Sequence, residues 1–244
     1  MPDLPLWKYL LGALCAFNIG MAKTGMPGLG ILAIPLFVVT VGDARLSAGW
    51  LLPILLSADL LAVFYYRKHA AAGRLFTLLP SVAVGMAVGA FVLKYDDKVL
   101  RPIVGAIILS MLFLFLLRKR SVNPLPTDGA LYSGMYGSFT GFATMIANAA
   151  GPIMNIYLLS KRLGREEFVA TGAWFFFIVN ATKLPVYIHH GLISRTSLMF
   201  DLALLPASLA GALIGRRLLM KIPQALFETA VIVLAFLATI LLFF

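Results

Sequence analysis

The sequence predicts an all-α polytopic membrane protein made of two inverted repeats, each a broken helical hairpin followed by three transmembrane helices. Three observations carry this. The 244 residues are 61% hydrophobic and 12% charged, with mean hydropathy +0.96, a composition outside the range of soluble domains. Apolar runs recur near the ~20 residues that a membrane span needs. The same order of breaks, prolines and glycines also occurs twice along the chain.

Ten apolar segments follow in order: Leu6 to Ala22, Gly28 to Val41, Leu46 to Tyr66, Leu75 to Leu93, Val99 to Leu117, Ala130 to Ala147, Gly151 to Leu159, Phe168 to Ile188, Leu198 to Ile214 and Ala225 to Phe244. The second and seventh are too short to span, and each follows a break. The first break, within Asn18 to Pro35, places Lys23, Thr24, Gly25, Pro27, Gly28 and Gly30 inside an apolar run. Hydrocarbon cannot satisfy the backbone groups such a break frees, so it belongs in a protein-lined cavity. A helix starting near Gly28 would aim free N–H groups and the positive end of its dipole at an anion, with Lys23 and Thr24 beside them. A surface loop with Lys23 snorkelling to a headgroup is the competing reading.

Leu78-Leu79-Pro80 with Gly85 and Gly89 recurs as Leu204-Leu205-Pro206 with Gly211 and Gly215, 126 residues later. The break ending at Gly28 matches Asn148 to Pro152, and Gly42 to Trp50 resembles Gly164 to Trp174. Duplication gives a first repeat over 1–117, a linker over 118–129 and a second repeat over 130–244. The linker, RKRSVNPLPTDG, holds two prolines that end a helix.

Three spans per half is an odd number, so the second repeat starts on the opposite face from the first. Such a duplicated, broken-helix plan is an architecture of alternating access. Counting cations by face puts Arg67, Lys68, Arg74, Arg118, Lys119, Arg120, Lys161, Arg162, Arg165, Arg216, Arg217 and Lys221 on one side. Lys8, Arg45, Lys94, Lys98, Arg101 and Arg195 fall on the other, twelve against six. The first face is then cytoplasmic and both termini are periplasmic. The net charge of +10 therefore reports topology rather than a nucleic-acid partner.

The chemistry-bearing residues are few. Lys183, with Asn180 on the same helical face and Pro185 after it, is expensive in lipid and points to an anion site, unless it snorkels outward. In the second break Thr144, Asn148 and Asn155 are neutral donors or helix caps, and Asn148 is expected to face Lys23 and Thr24. Asp59 interrupts the third segment and is a candidate for proton coupling or for neutralising Lys23 or Lys183. Asp201 and Glu228 lie near segment ends, where exposure or helix N-terminal placement is expected. His69, His189 and His190 have no metal spacing, and Cys15 is alone in an apolar run. No cofactor, metal or catalytic group is expected, and no P-loop is present.

GMAKTGMPGLGILAIPLF, from Gly20 to Phe37, resembles the first signature of the TauE/SafE sulfite exporter family, with Pro27-Gly28-Leu29-Gly30 where many members have a glycine run. The Leu-Leu-Pro-x4-Gly-x3-Gly repeat and Asn148 to Pro152 are similar to the rest of that family's duplicated pattern. The resemblance implies transport of small sulfur-containing anions (sulfite, thiosulfate or organosulfonates) across the bacterial inner membrane. It carries over to Lys23, Thr24, Gly25, Gly28 and Asn148. Asn180, Lys183 and Asp59 rest on the physical reading alone. The expected partners are the anion and membrane lipid, with homo-oligomer formation left open. An anion channel, uptake of another organic anion, an intramembrane enzyme and a non-transporting membrane protein are the rival readings; the enzyme lacks paired aspartates, HExxH or a serine-base pattern.

Overall fold

The structure is a computed structural model that describes residues 4–92 and 129–241, with positions 106, 109, 110 and 113 between them. Most of the expected span Val99 to Leu117 and nearly all of the linker lie outside the described residues. Every regular element described is helical: α1 Leu6–Thr24, α2 Ala33–Val41, α3 Ala44–Tyr66, α4 Ala72–Val92, α5 Ala130–Ala147, α6 Ala150–Ser160, α7 Arg165–His189, α8 Arg195–Lys221 and α9 Gln224–Leu241. Four stretches among the described residues are long and apolar enough to cross a membrane: Leu46–His69, Leu75–Val92, Arg165–His189 and Arg195–Lys221.

Local chemistry sets the helix ends. α1 stops at Gly25, and Gly28 takes φ +111° before a 3₁₀ turn at Leu29–Leu32. The α-helix after the first break thus begins at Ala33 rather than at Gly28, because the chain spends a tight turn reversing direction. Asp43 caps α3 by accepting from the Leu46 N–H at 2.7 Å, and a Ser194/Ser197 capping box starts α8. Asn148 ends α5 in the left-handed region at φ 52°, which asparagine tolerates better than most residues. Glu166 and Glu167 occupy the first turn of α7, where the helix dipole favours negative charge. Pro53, Pro80, Pro185 and Pro206 lie inside helices.

The chain folds into two compact units, Met1–Ala70 with Arg165–Pro223, and Ala71–Gly164 with Gln224–Phe244. The first holds α1, α2, α3, α7 and α8; the second holds α4, α5, α6 and α9. Each unit therefore draws helices from both halves of the sequence.

Within the first unit α1 runs parallel to α8, and within the second α4 runs parallel to α5. The glycines of the sequence repeat make both crossings possible. A Cβ on Gly211 would strike the Phe17 carbonyl, and one on Gly20 the Ser208 carbonyl. In the second unit a Cβ on Gly85 would strike the Ser138 carbonyl, and one on Gly141 the Val82 carbonyl. Small residues let helix backbones approach closely where lipid offers no hydrophobic drive for association. The 126-residue repeat is thus a repeat of packing as well as of letters.

The other principal contact of the first unit joins α3 to α7. Gly49 lies against Leu192 at one end, Ala62 and Val63 against Ala173 further along, and His69 sits 3.2 Å from Glu166 at the other. The two helices run antiparallel. Arg216 stacks on Tyr65 at 4.6 Å, and Arg165 donates to the Leu219 carbonyl at 3.2 Å, tying the same end together.

Gly211→Val should lower the unfolding free energy by about 1–3 kcal/mol or more, the cost of overpacking a tight crossing. Gly164→Ala, where a Cβ meets nothing within 4 Å, should leave it unchanged. Denaturant titration of both variants in detergent micelles checks the contrast.

Candidate functional site

Inside the first unit, α1, α3 and α7 bring four polar side chains together. Lys23 stands in the last turn of α1, where its charge complements the helix's negative end. Asp59 projects from α3 and is fully buried. Phe176, Asn180, Lys183 and Tyr187 follow at spacings of four, three and four, so α7 presents them on one face. The Lys23 ammonium contacts Asp59 Oδ1 at 2.7 Å, and Asn180 Nδ2 donates to Asp59 Oδ2 at 2.7 Å.

Each Asp59 oxygen thus faces a different donor. A buried carboxylate needs such an arrangement, since removing an ion from water costs several kcal/mol unless attraction and hydrogen bonds offset it. Lys23 also lies 3.9 Å from the centroid of the Phe176 ring, a cation–π contact in a desolvated place. Its side chain keeps 14% exposure, against 0% for Asp59.

Lys183 is fully buried, with Nζ 5.1 Å from the Tyr187 ring centroid, and is within electrostatic reach of both Lys23 and Asp59. It does not snorkel. With Lys23, Lys183 and Asp59 ionised, the cluster holds two positive charges against one negative. A small anion has the complementary charge.

The other expected residues take different places. The Thr24 hydroxyl donates to the Ala212 carbonyl at 2.6 Å and also lies 3.1 Å from the Gly20 carbonyl, while its own carbonyl accepts from Tyr66 Oη at 2.9 Å. It fastens the end of α1 to α8 and α3. Gly25 crosses Gly215 so closely that a Cβ would overlap its backbone. Gly28 makes the turn. Asn148 belongs to the second unit, where it ends α5 and its N–H bonds back to the Thr144 carbonyl at 3.1 Å. Thr144 and Asn155 are buried in that unit.

Asp201 departs from its expected exposure. It lies in the second turn of α8, is 3% exposed, and neither carboxyl oxygen has a hydrogen-bond partner among the described residues. Glu228 lies near the start of α9 and accepts from Gln224 at 3.0 Å. The roles of Phe176 and Tyr66 left no trace in the sequence, where an aromatic residue in an apolar run reads as packing.

Long apolar helices, backbone interrupted between α1 and α2, and charged side chains held away from lipid define a multi-pass helical membrane protein with an interior polar site. The particular family follows from the sequence: residues 11–242 match the family described as Sulfite exporter TauE/SafE, and the chain belongs to it. That family is one of membrane transporters of sulfur-containing anions rather than enzymes. No curated protein and no solved structure matches the chain.

Breaking the ion pair from either side leaves a buried charge uncompensated, so Lys23→Met and Asp59→Leu should each cost about 3–5 kcal/mol. The double variant should cost less than the sum, with a coupling of about 1–3 kcal/mol in denaturant titrations. Asp201→Asn removes no partnered charge and should shift stability by under about 1 kcal/mol in the same titrations.

Proposed function

We propose that the chain is a secondary transporter of the bacterial inner membrane that moves a small sulfur-containing anion by alternating access, in the direction of export. The observation that carries this is the buried cluster of Lys23, Asp59, Asn180 and Lys183, which gathers two lysines and one carboxyl group. In this reading Asp59 occupies Lys23 while no substrate is bound. An entering sulfite, thiosulfate or organosulfonate displaces that carboxylate, taking Lys23 on one side and Lys183 on the other.

Asn180 is released at the same step and donates to a substrate oxygen. Thr24, Gly25 and Gly28 shape the break around Lys23 without lending a free donor, and Asn148 shapes the second break. Asp59, freed from Lys23, is the group able to pick up a proton, which makes it the coupling residue. Outward movement of a monoanion is also favoured by the membrane potential, by about 2.3 kcal/mol per 100 mV.

The packing supports inverted repeats. Gly42 to Trp50 and Gly164 to Trp174 open α3 and α7, which run antiparallel. Lys8 and Arg195 belong to one end of the first unit, and Arg67, Lys68, Arg165, Arg216, Arg217 and Lys221 to the other. We assign the second end to the cytoplasm and the amino terminus to the periplasm. The last helix then returns the carboxyl terminus to the periplasm as well.

Proteoliposomes loaded with labelled sulfite or thiosulfate should show saturable efflux that unlabelled anion outside accelerates by counterflow. Lys183→Met should lower that flux at least tenfold while the protein stays folded. Asp59→Asn should abolish the response to an imposed pH gradient and keep the response to membrane potential. Wild-type flux from Lys183→Met, or flux that never saturates, overturns the pocket or the alternating-access reading respectively.

A further inference from the structure

The first unit buries two aspartates, Asp59 and Asp201, in opposite circumstances. Asp59 has Lys23 on one oxygen and Asn180 on the other, each at 2.7 Å. Asp201 is 3% exposed, neither of its oxygens has a hydrogen-bond partner, and among the described residues no ion pair includes it. Its neighbours along α8, Phe200 and Leu204, belong to an apolar cluster with Cys15, Ile19, Leu51 and Ile54.

The elements packed against α8 are α1 and α3, and the titratable groups at this end of the unit are engaged elsewhere or exposed. On α1, the Tyr9 ring lies 5.0 Å from the Phe200 ring, the Lys8 ammonium lies 5.6 Å from the Trp7 ring, and Cys15 is buried. Asp43 caps α3, and the Arg45 side chain lies outside those described. His189, His190 and Arg195, which flank the turn into α8, are exposed. The α8 dipole offers Asp201 little support, because its effect fades beyond the first turn and Asp201 stands in the second.

A carboxylate in such a place would be an ion without water, cation or donor, which costs several kcal/mol. A neutral carboxylic acid avoids that cost. A metal cation needs several oxygen ligands around it, and the described residues hold no group of acidic, histidine or cysteine side chains to share one. A proton is the cation that a single carboxyl can hold alone. We propose that Asp201 is a proton-binding site of the first unit, which holds its proton in this packing and exchanges it with the solution at the Lys8 and Arg195 end.

This site is separate from the Lys23–Asp59–Lys183 cluster. Trp50 meets Phe200 and Tyr65 meets Arg216, so α3 and α8 run parallel and Asp59 lies level with Ser208. At 1.5 Å of rise per residue, that level is about 10 Å along the helix from Asp201. The gap exceeds hydrogen-bond reach, so the two carboxyls titrate separately, and the assignment of Asp201 stands whether or not the chain exports sulfur anions.

Infrared spectroscopy of the full chain in maltoside micelles, whose detergent has no ester carbonyl, reads the C=O stretch of a protonated carboxyl directly. At neutral pH that band should be present in the wild type and in Asp59→Asn, and lost in Asp201→Asn. Replacing light water by heavy water should move it to lower frequency, because the proton exchanges with solvent. Heavy-isotope carbon in the aspartate side-chain carboxyls should shift it too, which keeps the site testable if Asp201→Asn does not fold. Sodium chloride should leave the band as it stands in choline chloride. The site is overturned by the absence of the band at neutral pH, by its persistence in folded Asp201→Asn, or by its failure to shift in heavy water. Loss of the band in sodium alone would reassign the carboxyl to a metal cation and overturn the proposal as well.

Discussion

A carboxylate and two ammonium groups removed from water constrain the first unit more than any other feature. Asp59 is fully buried, and its charge is tolerable only because Lys23 and Asn180 each reach one of its oxygens at 2.7 Å. Those contacts require α1, α3 and α7 to meet at fixed depth. The α1 and α8 backbones in turn touch at Gly20, Gly25 and Gly211, and Thr24 binds the Ala212 carbonyl. The glycine crossings and the ion pair therefore depend on each other: loosening the packing would leave charges unpaired, and removing a charge would remove what holds α1 in register.

The same constraint suggests how such a site does work. In the proposed mechanism an anion gains access by replacing Asp59 as the partner of Lys23. In that mechanism Lys183 supplies the charge that favours replacement, and the low polarity around it strengthens the attraction relative to water. Binding and release are then both feasible, because Asp59 remains at hand to take Lys23 back. This is the economy expected of a carrier, which has to let go of its cargo.

The two units share one packing device and differ in what surrounds it. Both keep a parallel helix pair crossed through glycines, since any side chain there would push the backbones apart. The first unit carries the charged cluster and, apart from it, the aromatic group of Phe200, Tyr9, Trp50 and Phe37; in the second, Ser133, Tyr157 and Lys161 are buried together.

Hydropathy alone determined the all-helical membrane class, because burying backbone in lipid leaves helices as the natural solution for runs this apolar. Spacing alone exposed the repeat, and the cost of charge in lipid singled out Lys23, Asp59, Asn180 and Lys183 before any coordinates. The short helices after each break were legible from their lengths. Which donors meet Asp59 was not legible, because Lys23 and Asn180 lie 36 and 121 residues away in sequence and only the packing of α1 and α7 against α3 selects them. Tertiary structure also gave the Thr24 hydroxyl a carbonyl partner on α8, placed the α2 start at Ala33, and buried Asp201. A hydroxyl, a glycine and a carboxyl reveal their partners only when a neighbouring helix arrives, and that arrival is set by side-chain shape across the interface rather than by local sequence.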